Sequence, residues 1–416
     1  MVDVLGARER DVSVARRTPI EEDAVADDVS WMGLEKVFPF VLPTRVEFGP
    51  GVAERVGDEA AALGRRVMMV TDPGVLAAGL LDPMVETCKR LGLDCAVFSE
   101  IETNPRVASV EKAAAAASEH GADVLVAVGG GSSMDTAKIV SAIVSHGRGV
   151  LDYEGDSRVP GPVVPTIAVP TTSGTGSEVT FWAVATDPAR NYKLAVSSVL
   201  LAPRVALVDP LLTVSLPQSL TAGTGADALS HAIEGYTARC SNPISDALAL
   251  YAIELVGKSL ERAVQDGTDV EARCGLSLAS LTAGMAFGNA DTSAAHAMAE
   301  ALGGIFDAPH GLACGICTPY MLRFNLPAVE EKTARIGQAL GLSTSHLPRR
   351  EAAEAAVDGV AAFLARVGIP PMSSLGVTRD DIPRLVNIAL MNVGNPDNPV
   401  DVDREVFTRL YEEALA

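Results

Sequence analysis

The stretch ADVLVAVGGGSSMDTAK, residues 122–138, constrains the fold more than any other part of the chain. A run of apolar, mostly β-branched residues passes straight through three glycines and two serines into a helical pattern. A strand with no polar alternation is buried on both faces, as in parallel sheets covered by helices. Gly129, Gly130 and Gly131 would let the backbone approach a ligand closely, and the helix after them offers free N–H groups and a positive dipole end. That geometry suits a pyrophosphate. A tight strand-to-helix turn is the plainer alternative, since the GxGxxG fingerprint is absent.

The same alternation runs along the first half of the chain. The segment VFPFVLPTRVEFGPG (37–51) reads as a strand pair closed by Gly and Pro. An Ala-rich helix is expected over Val52–Leu63, followed by the strands RVMMVTD and DCAVFSE, a helix from Val107, and the strands PTIAVPTT, FWAVATD and RVALVDP. Strands interleaved with helices predict a parallel, two-sided α/β sheet. After Pro210 the strand signal fades and helical patterns continue to the C-terminus. Three segments are therefore expected: an acidic, mobile extension over 1–36, an α/β domain over 37–214, and an all-helical domain over 215–416.

Composition agrees. At 416 residues the chain exceeds one ordinary core, and 48% hydrophobic but only 4% aromatic residues suit Ala-, Val- and Leu-rich layers. A formal charge of −20 argues against a nucleic acid or an anionic membrane as main partner. No apolar run approaches the ~20 residues of a membrane helix. The N-terminal segment, which mixes Arg with Asp and Glu, does not read as a signal peptide. Six scattered cysteines fit reduced thiols in a cytoplasm, and Cys314 and Cys317, without a second pair, read as buried helix lining rather than a zinc knuckle.

A second glycine- and hydroxyl-rich loop, PTTSGTGSEVT (170–180), again follows an apolar strand. Two such loops at the C-terminal ends of strands in one sheet strengthen the ligand reading. Asp72, ending the strand RVMMVTD, is placed to accept hydrogen bonds from an adenosine ribose and to repel a 2′-phosphate; an Asp-Pro-Gly turn is its alternative. In GADALSHAIEGY, Asp227 and His231 stand i, i+4 on one helical face. With His296 and His310 they make a potential Asp-His-His-His set, suited to Fe²⁺ or Zn²⁺. His120, His146 and His346 lie in ordinary polar contexts.

The motifs GGGSSMDTAK, PTTSGTGSEVT, GADALSHAIEGY and HAMAEALGGIFDAPHG, in this order and spacing, resemble the iron-containing (group III) alcohol dehydrogenases. The resemblance covers about Val37 to Ala416. It implies a Rossmann-like nucleotide domain followed by a helical metal domain, the dehydroquinate synthase-like superfold. It carries the metal ligands to Asp227, His231, His296 and His310, and the pyrophosphate to Gly129–Ser132. Asp135 and Ser177 join the cofactor-binding set, Thr171, Thr172 and Thr180 line the nicotinamide side, and Lys193 reaches the cofactor ribose or phosphate. NAD(H) is expected over NADP(H), with Asp72 as the discriminating acid. The activity implied is hydride transfer between a nicotinamide and a small alcohol or aldehyde whose oxygen a metal polarises, in a cytoplasmic homo-oligomer.

The chain departs from that pattern at Glu300, where many family members carry a second histidine. A proton relay or a supporting role near the metal is the expectation; a helix-surface or intersubunit carboxylate is the alternative. Trp182, beside Phe181, should narrow the pocket, and Phe287 should sit on its entrance side. Asp291, Thr292 and Ser293 add polar atoms, which favours a small polar primary alcohol and its aldehyde, with carboxylate- or phosphonate-bearing aldehydes included. A glycerol dehydrogenase or dehydroquinate synthase-like lyase is the runner-up, and a catalytically silent metal- or nucleotide-binding protein the remote alternative.

Overall fold

The computed structural model describes residues 37–416, so the expected extension over 1–36 lies outside the described residues. Six strands form one wholly parallel sheet. They are β1 (Arg45–Phe48), β2 (Arg66–Val70), β3 (Asp94–Phe98), β4 (Val124–Gly129), β6 (Thr166–Pro170) and β9 (Val205–Val208), in the spatial order β1-β9-β6-β4-β2-β3. A smaller sheet joins β5 (Gly155–Asp156) to the antiparallel pair β7 (Trp182–Asp187) and β8 (Tyr192–Ser197).

Burial follows the pleat. On β4, Leu125 and Ala127 face one apolar core while Val124, Val126 and Val128 face another. Helices α4 (Val107–His120) and α5 (Gly131–His146) cover the first face; α1 (Val56–Leu63) and α3 (Asp82–Arg90) cover the second, and the short α2 (Pro73–Ala77) follows β2. The helical part contains α6 (Gln218–Thr237), α7 (Pro243–Gln265), α8 (Val270–Phe287), α9 (Ala294–Phe306), α10 (His310–Asn325), α11 (Glu330–Ala339), α12 (Arg349–Arg366), α13 (Ile382–Ala389) and α14 (Arg404–Leu415) around one large core. Cys314 and Cys317 are buried in it.

Two expectations change. Of the strand pair expected over 37–51, only β1 forms, because Pro39 and Pro43 lack the N–H a ladder needs. FWAVATD is a strand, but in the hairpin with β8 and not in the main sheet. The α/β and helical parts pack closely, and Phe40–Ala416 forms one compact unit. Their backbones meet where Gly176, at φ +59°, lies against Gly284 of α8: a Cβ on Gly176 would stand 2.5 Å from the Gly284 Cα.

Candidate active site

The sheet order reverses direction between β2 and β4: β3 lies outside β2, while β6, β9 and β1 run away on the far side of β4. Ligands of open α/β sheets bind at such a switch point, beyond the strands' C-terminal ends. Asp72 follows β2 there, and Gly129–Gly131 end β4 and open α5. Gly129 has φ +153°, and a Cβ on it would run into Ser133 and approach the Asp72 carboxylate at 3.1 Å. The first turn of α5 has no side-chain cap, and the buried Ser133 Oγ has no hydrogen-bond partner. Ser132 is half-buried in that turn. An anionic group at this helix start would meet unspent donors. The residues fit a dinucleotide.

Asp72 does two things at once. Its Oδ1 accepts from the backbone N–H groups of Gly74 and Val75, capping α2. Its Oδ2 is left facing the glycine loop. The turn reading and the ligand reading are thus both compatible with one side chain.

The second loop closes over the first. Thr171 N donates to Gly129 O at 3.0 Å, and Thr172 Oγ1 lies beside Gly130. Asp135 and Ser177, expected to touch the cofactor, are spent internally: Asp135 Oδ1 accepts from Ser177 Oγ at 2.6 Å, and Oδ2 accepts from Val184 N. The organiser is Lys138, a residue without a role in the sequence reading. Its fully buried ammonium donates to Ser177 Oγ, Thr180 Oγ1 and Trp182 O at 2.7, 3.2 and 2.8 Å. Burial pushes its pKa down to about 8 despite the charges of Asp135 and Glu178. Glu178, also buried, is pushed up to about 7 by desolvation against the pull of Lys138. The Thr180 hydroxyl therefore serves Lys138, and Asp135 and Ser177 brace α5 against the loop and β7.

Across from these loops, Asp227, His231, His296 and His310 converge, and one donor atom from each lies within 4.8 Å of all the others. Helix periodicity sets Asp227 and His231 on the same face of α6; α9 brings His296 and the first residue of α10 is His310. Asp227 Oδ1 is 3.8 Å from His231 Nδ1, 3.8 Å from His296 Nε2 and 3.6 Å from His310 Nε2. Asp227 Oδ1 and His296 Nε2 are buried without a hydrogen-bond partner. Two orphaned polar atoms aimed at one point cost stability unless something else satisfies them. Three imidazoles and one carboxylate in this arrangement fit a first-row divalent ion. Burial pushes the pKa of His231 down to about 4 and of His310 to about 3, so both are the neutral bases a metal needs. Burial would also lower His296, but Glu234, Asp227 and Glu300 outweigh it and push it up to about 9.

Glu300 lies half-buried on α9. Desolvation raises its pKa against the opposing effects of Lys193, His296 and a hydrogen bond from Asn392 Nδ2. Asn392, in the segment after α13, was not read from the sequence. Lys193, on β8, lies beside α9 rather than against the glycine loop: its Nζ donates to Asn104 Oδ1 at 2.8 Å, and a Cβ on Gly303 would stand 3.0 Å from it. Burial lowers its pKa, with Glu300 the largest opposing charge. Phe287, expected on the entrance side, is partly buried. Its ring stacks on His231 at 4.0 Å and 12°, so it forms the wall directly against the metal set. Trp182 is half-buried at the start of β7, its ring 6.1 Å from that of Phe181. Thr292 follows Asp291, which has φ +59° and whose pKa desolvation pushes up to about 6.

Glycine-rich loops at a sheet's switch point, with His231 of an Asp-His-His-His set in contact with Gly174 of the second loop, are the arrangement of a metal-assisted, nucleotide-linked enzyme. The model for iron-containing alcohol dehydrogenase matches residues 43–210, and that for the C-terminal part of the Fe-containing alcohol dehydrogenase family matches 221–415. The chain is 39% identical to choline dehydrogenase of Bacillus subtilis (strain 168) over 386 residues, 92% of this chain and 96% of that one. A crystal structure of 1,3-propanediol oxidoreductase superposes with a TM-score of 0.89 at 35% identity, covering 91% of this chain and all of that one. A sulfoacetaldehyde reductase from Bifidobacterium kashiwanohense in complex with NAD+ gives 0.81 at 31% identity, over 92% and 99% of the two chains. The chain belongs to the iron-containing alcohol dehydrogenase family. It is an oxidoreductase of alcohols and aldehydes. Among the described residues, no helix is long and apolar enough to cross a membrane.

Proposed function

We propose that this chain is an NAD(H)-linked, metal-dependent dehydrogenase of a small polar primary alcohol, or a reductase of its aldehyde, with Asp227, His231, His296 and His310 as the metal ligands. The observation that carries the reading is the pair of orphaned buried atoms, Asp227 Oδ1 and His296 Nε2, within a four-residue donor set. A divalent ion held there supplies Lewis acidity toward a substrate oxygen, and a nicotinamide supplies or accepts the hydride. The protein's own residues do the rest. Gly129–Ser132 and the first turn of α5 receive the pyrophosphate, and Asp72 Oδ2 faces the ribose side, where its charge disfavours a 2′-phosphate. Thr171 and Thr172 hold the second loop over the first. Phe287 and Trp182 form apolar walls that exclude water and limit substrate length. Glu300, desolvated and held by Asn392, takes the proton released on alcohol oxidation, with Lys193 beside it offsetting its charge.

Around His296 the carboxyls of Glu300 and Asp291 oppose an anionic head group and Lys193 favours one; we weigh the two acids above the single lysine. A neutral or cationic hydroxylated substrate is therefore favoured over the carboxylate- or phosphonate-bearing aldehydes that polarity alone would admit. The choline dehydrogenase and 1,3-propanediol oxidoreductase likenesses support that choice; the sulfoacetaldehyde reductase likeness weighs against it. The test is turnover with NADH or NAD⁺ by protein loaded with Fe²⁺ or Zn²⁺, across choline, 1,3-propanediol, glycolaldehyde and sulfoacetaldehyde. Fastest turnover of the sulfonate would overturn the charge preference, and silence with every substrate would overturn the small-polar-alcohol reading.

A further inference from the structure

Glu234 lies three residues after His231 on α6, and its side chain is completely buried. A buried carboxylate is costly unless its lone pairs are filled by donors. Here each oxygen has its own set. Oε1 accepts from Ser293 N at 3.0 Å, Ser293 Oγ at 2.7 Å, Ala295 N at 2.9 Å and His296 N at 3.4 Å. Those groups are the start of α9, whose N-cap residue Ser293 makes no capping bond of its own. Glu234 Oε2 pairs with His296 Nδ1. Nδ1 is thereby engaged, and Nε2 is the ring atom left buried and unpartnered, 3.8 Å from Asp227 Oδ1.

We propose that Glu234 is the positioning residue of the metal centre: one carboxylate caps α9 with Oε1 and, with Oε2, fixes the His296 ring so that Nε2 is its ligating atom. The inference rests on the metal reading above. Its logic turns on a count of acceptors. Glutamate presents two accepting oxygens and both are required; glutamine presents one. With its oxygen toward α9, a glutamine would point its NH₂ at His296 Nδ1, which then accepts and leaves the proton on Nε2, the wrong tautomer for a ligand. With its oxygen toward His296, the NH₂ would face four donors at the helix start. Neither orientation preserves both functions.

The experiment is zinc affinity by competition with a chromogenic chelator, for wild type and Glu234→Gln, alongside the melting temperature of each metal-free protein. The expected result is a loss of about 10- to 100-fold in zinc affinity in Glu234→Gln, the range seen when a partner of a ligating histidine is removed. A folded Glu234→Gln protein that binds zinc within twofold of wild type would overturn the proposal while leaving the metal reading intact. A wild type that binds no zinc, iron or cobalt would overturn both. If Glu234→Gln does not fold, ¹⁵N-histidine spectra of zinc-loaded wild type decide: a protonated Nδ1 on His296 supports the assignment, and a protonated Nε2 overturns it.

Discussion

The side-chain amide of Asn392 donates to the carboxylate of Glu300, 92 residues away in sequence, and so ties the segment after α13 to the helix that carries His296. Hydrogen bonding to the ionised form lowers a carboxyl pKa, while burial raises it, and here burial prevails. If Glu300 takes the substrate proton, alcohol oxidation falls as pH drops through that raised pKa. Glu300→Gln should lose the acidic limb of the kcat profile and about 100-fold in kcat. Asn392→Ala should keep the limb but move it to higher pH. An unchanged profile in Glu300→Gln would sink the relay.

His310 is the most accessible of the four metal-set residues, with 28% of its side chain exposed. Its removal therefore perturbs packing least. His310→Ala should bind less than one equivalent of iron or zinc and lose about 1,000-fold or more in kcat/KM, the order of a Lewis acid's contribution. Its far-ultraviolet circular dichroism should match wild type. Full metal content with full activity would remove His310 from the site.

The two oxygens of Asp72 separate cap from cofactor. Asp72→Asn retains an acceptor for Gly74 N and Val75 N, so its stability should stay within about 0.5 kcal/mol of wild type, whereas Asp72→Ala should lose about 1 kcal/mol. Both remove the charge that faces the glycine loop. In each, the ratio of kcat/KM for NADPH to that for NADH should rise about tenfold, worth about 1.4 kcal/mol. A ratio that does not move would leave Asp72 as a cap alone.

Glu178 supplies a stability signature. Folded, its carboxyl keeps its proton up to a pH of about 7, against an ordinary glutamate value of 4.5. Between these values the folded state binds more protons than the unfolded one, so this group's contribution is complete below pH 4.5 and is lost as pH rises through 7. Glu178→Gln should remove that slope and be more stable than wild type at pH 8 by on the order of 2–3 kcal/mol. Urea titrations from pH 4.5 to 8 measure it, and parallel slopes for the two proteins would contradict the burial argument.

What the sequence made legible was whatever is local. The GGGSS turn, the second glycine loop and the Asp227–His231 spacing each lie within one strand-turn-helix unit or one helical turn, where periodicity dictates geometry. The hairpin partner Tyr192–Ser197 escaped notice because a six-residue strand containing a lysine carries little pattern of its own. Lys138 could have been found, since it stands i, i+3 from Asp135 on a helix whose buried residues are otherwise uncharged. Glu234 stands within the quoted metal motif, yet its partners come from α9, and no spacing rule connects residues 234 and 293. Asn392 is further still from its carboxylate. The stacking of Phe287 on His231 joins residues 56 apart, which no helical spacing connects.

The backbone meeting of Gly176 with Gly284 bears on how such enzymes can be recombined. A Cβ on either residue would stand within 3.0 Å of the other's Cα, so at this point the two lobes meet main chain to main chain, flanked by Val179 and Val208 packing on Leu281 and by the Ser173–Ser277 hydroxyl pair. A chimera that takes its nucleotide lobe from one relative and its helical lobe from another inherits this seam intact only if both donors are glycine there. With that condition met, the cut between Val208 and Gln218 is a crossover point that leaves the two glycine loops with one lobe and the four-residue metal set with the other.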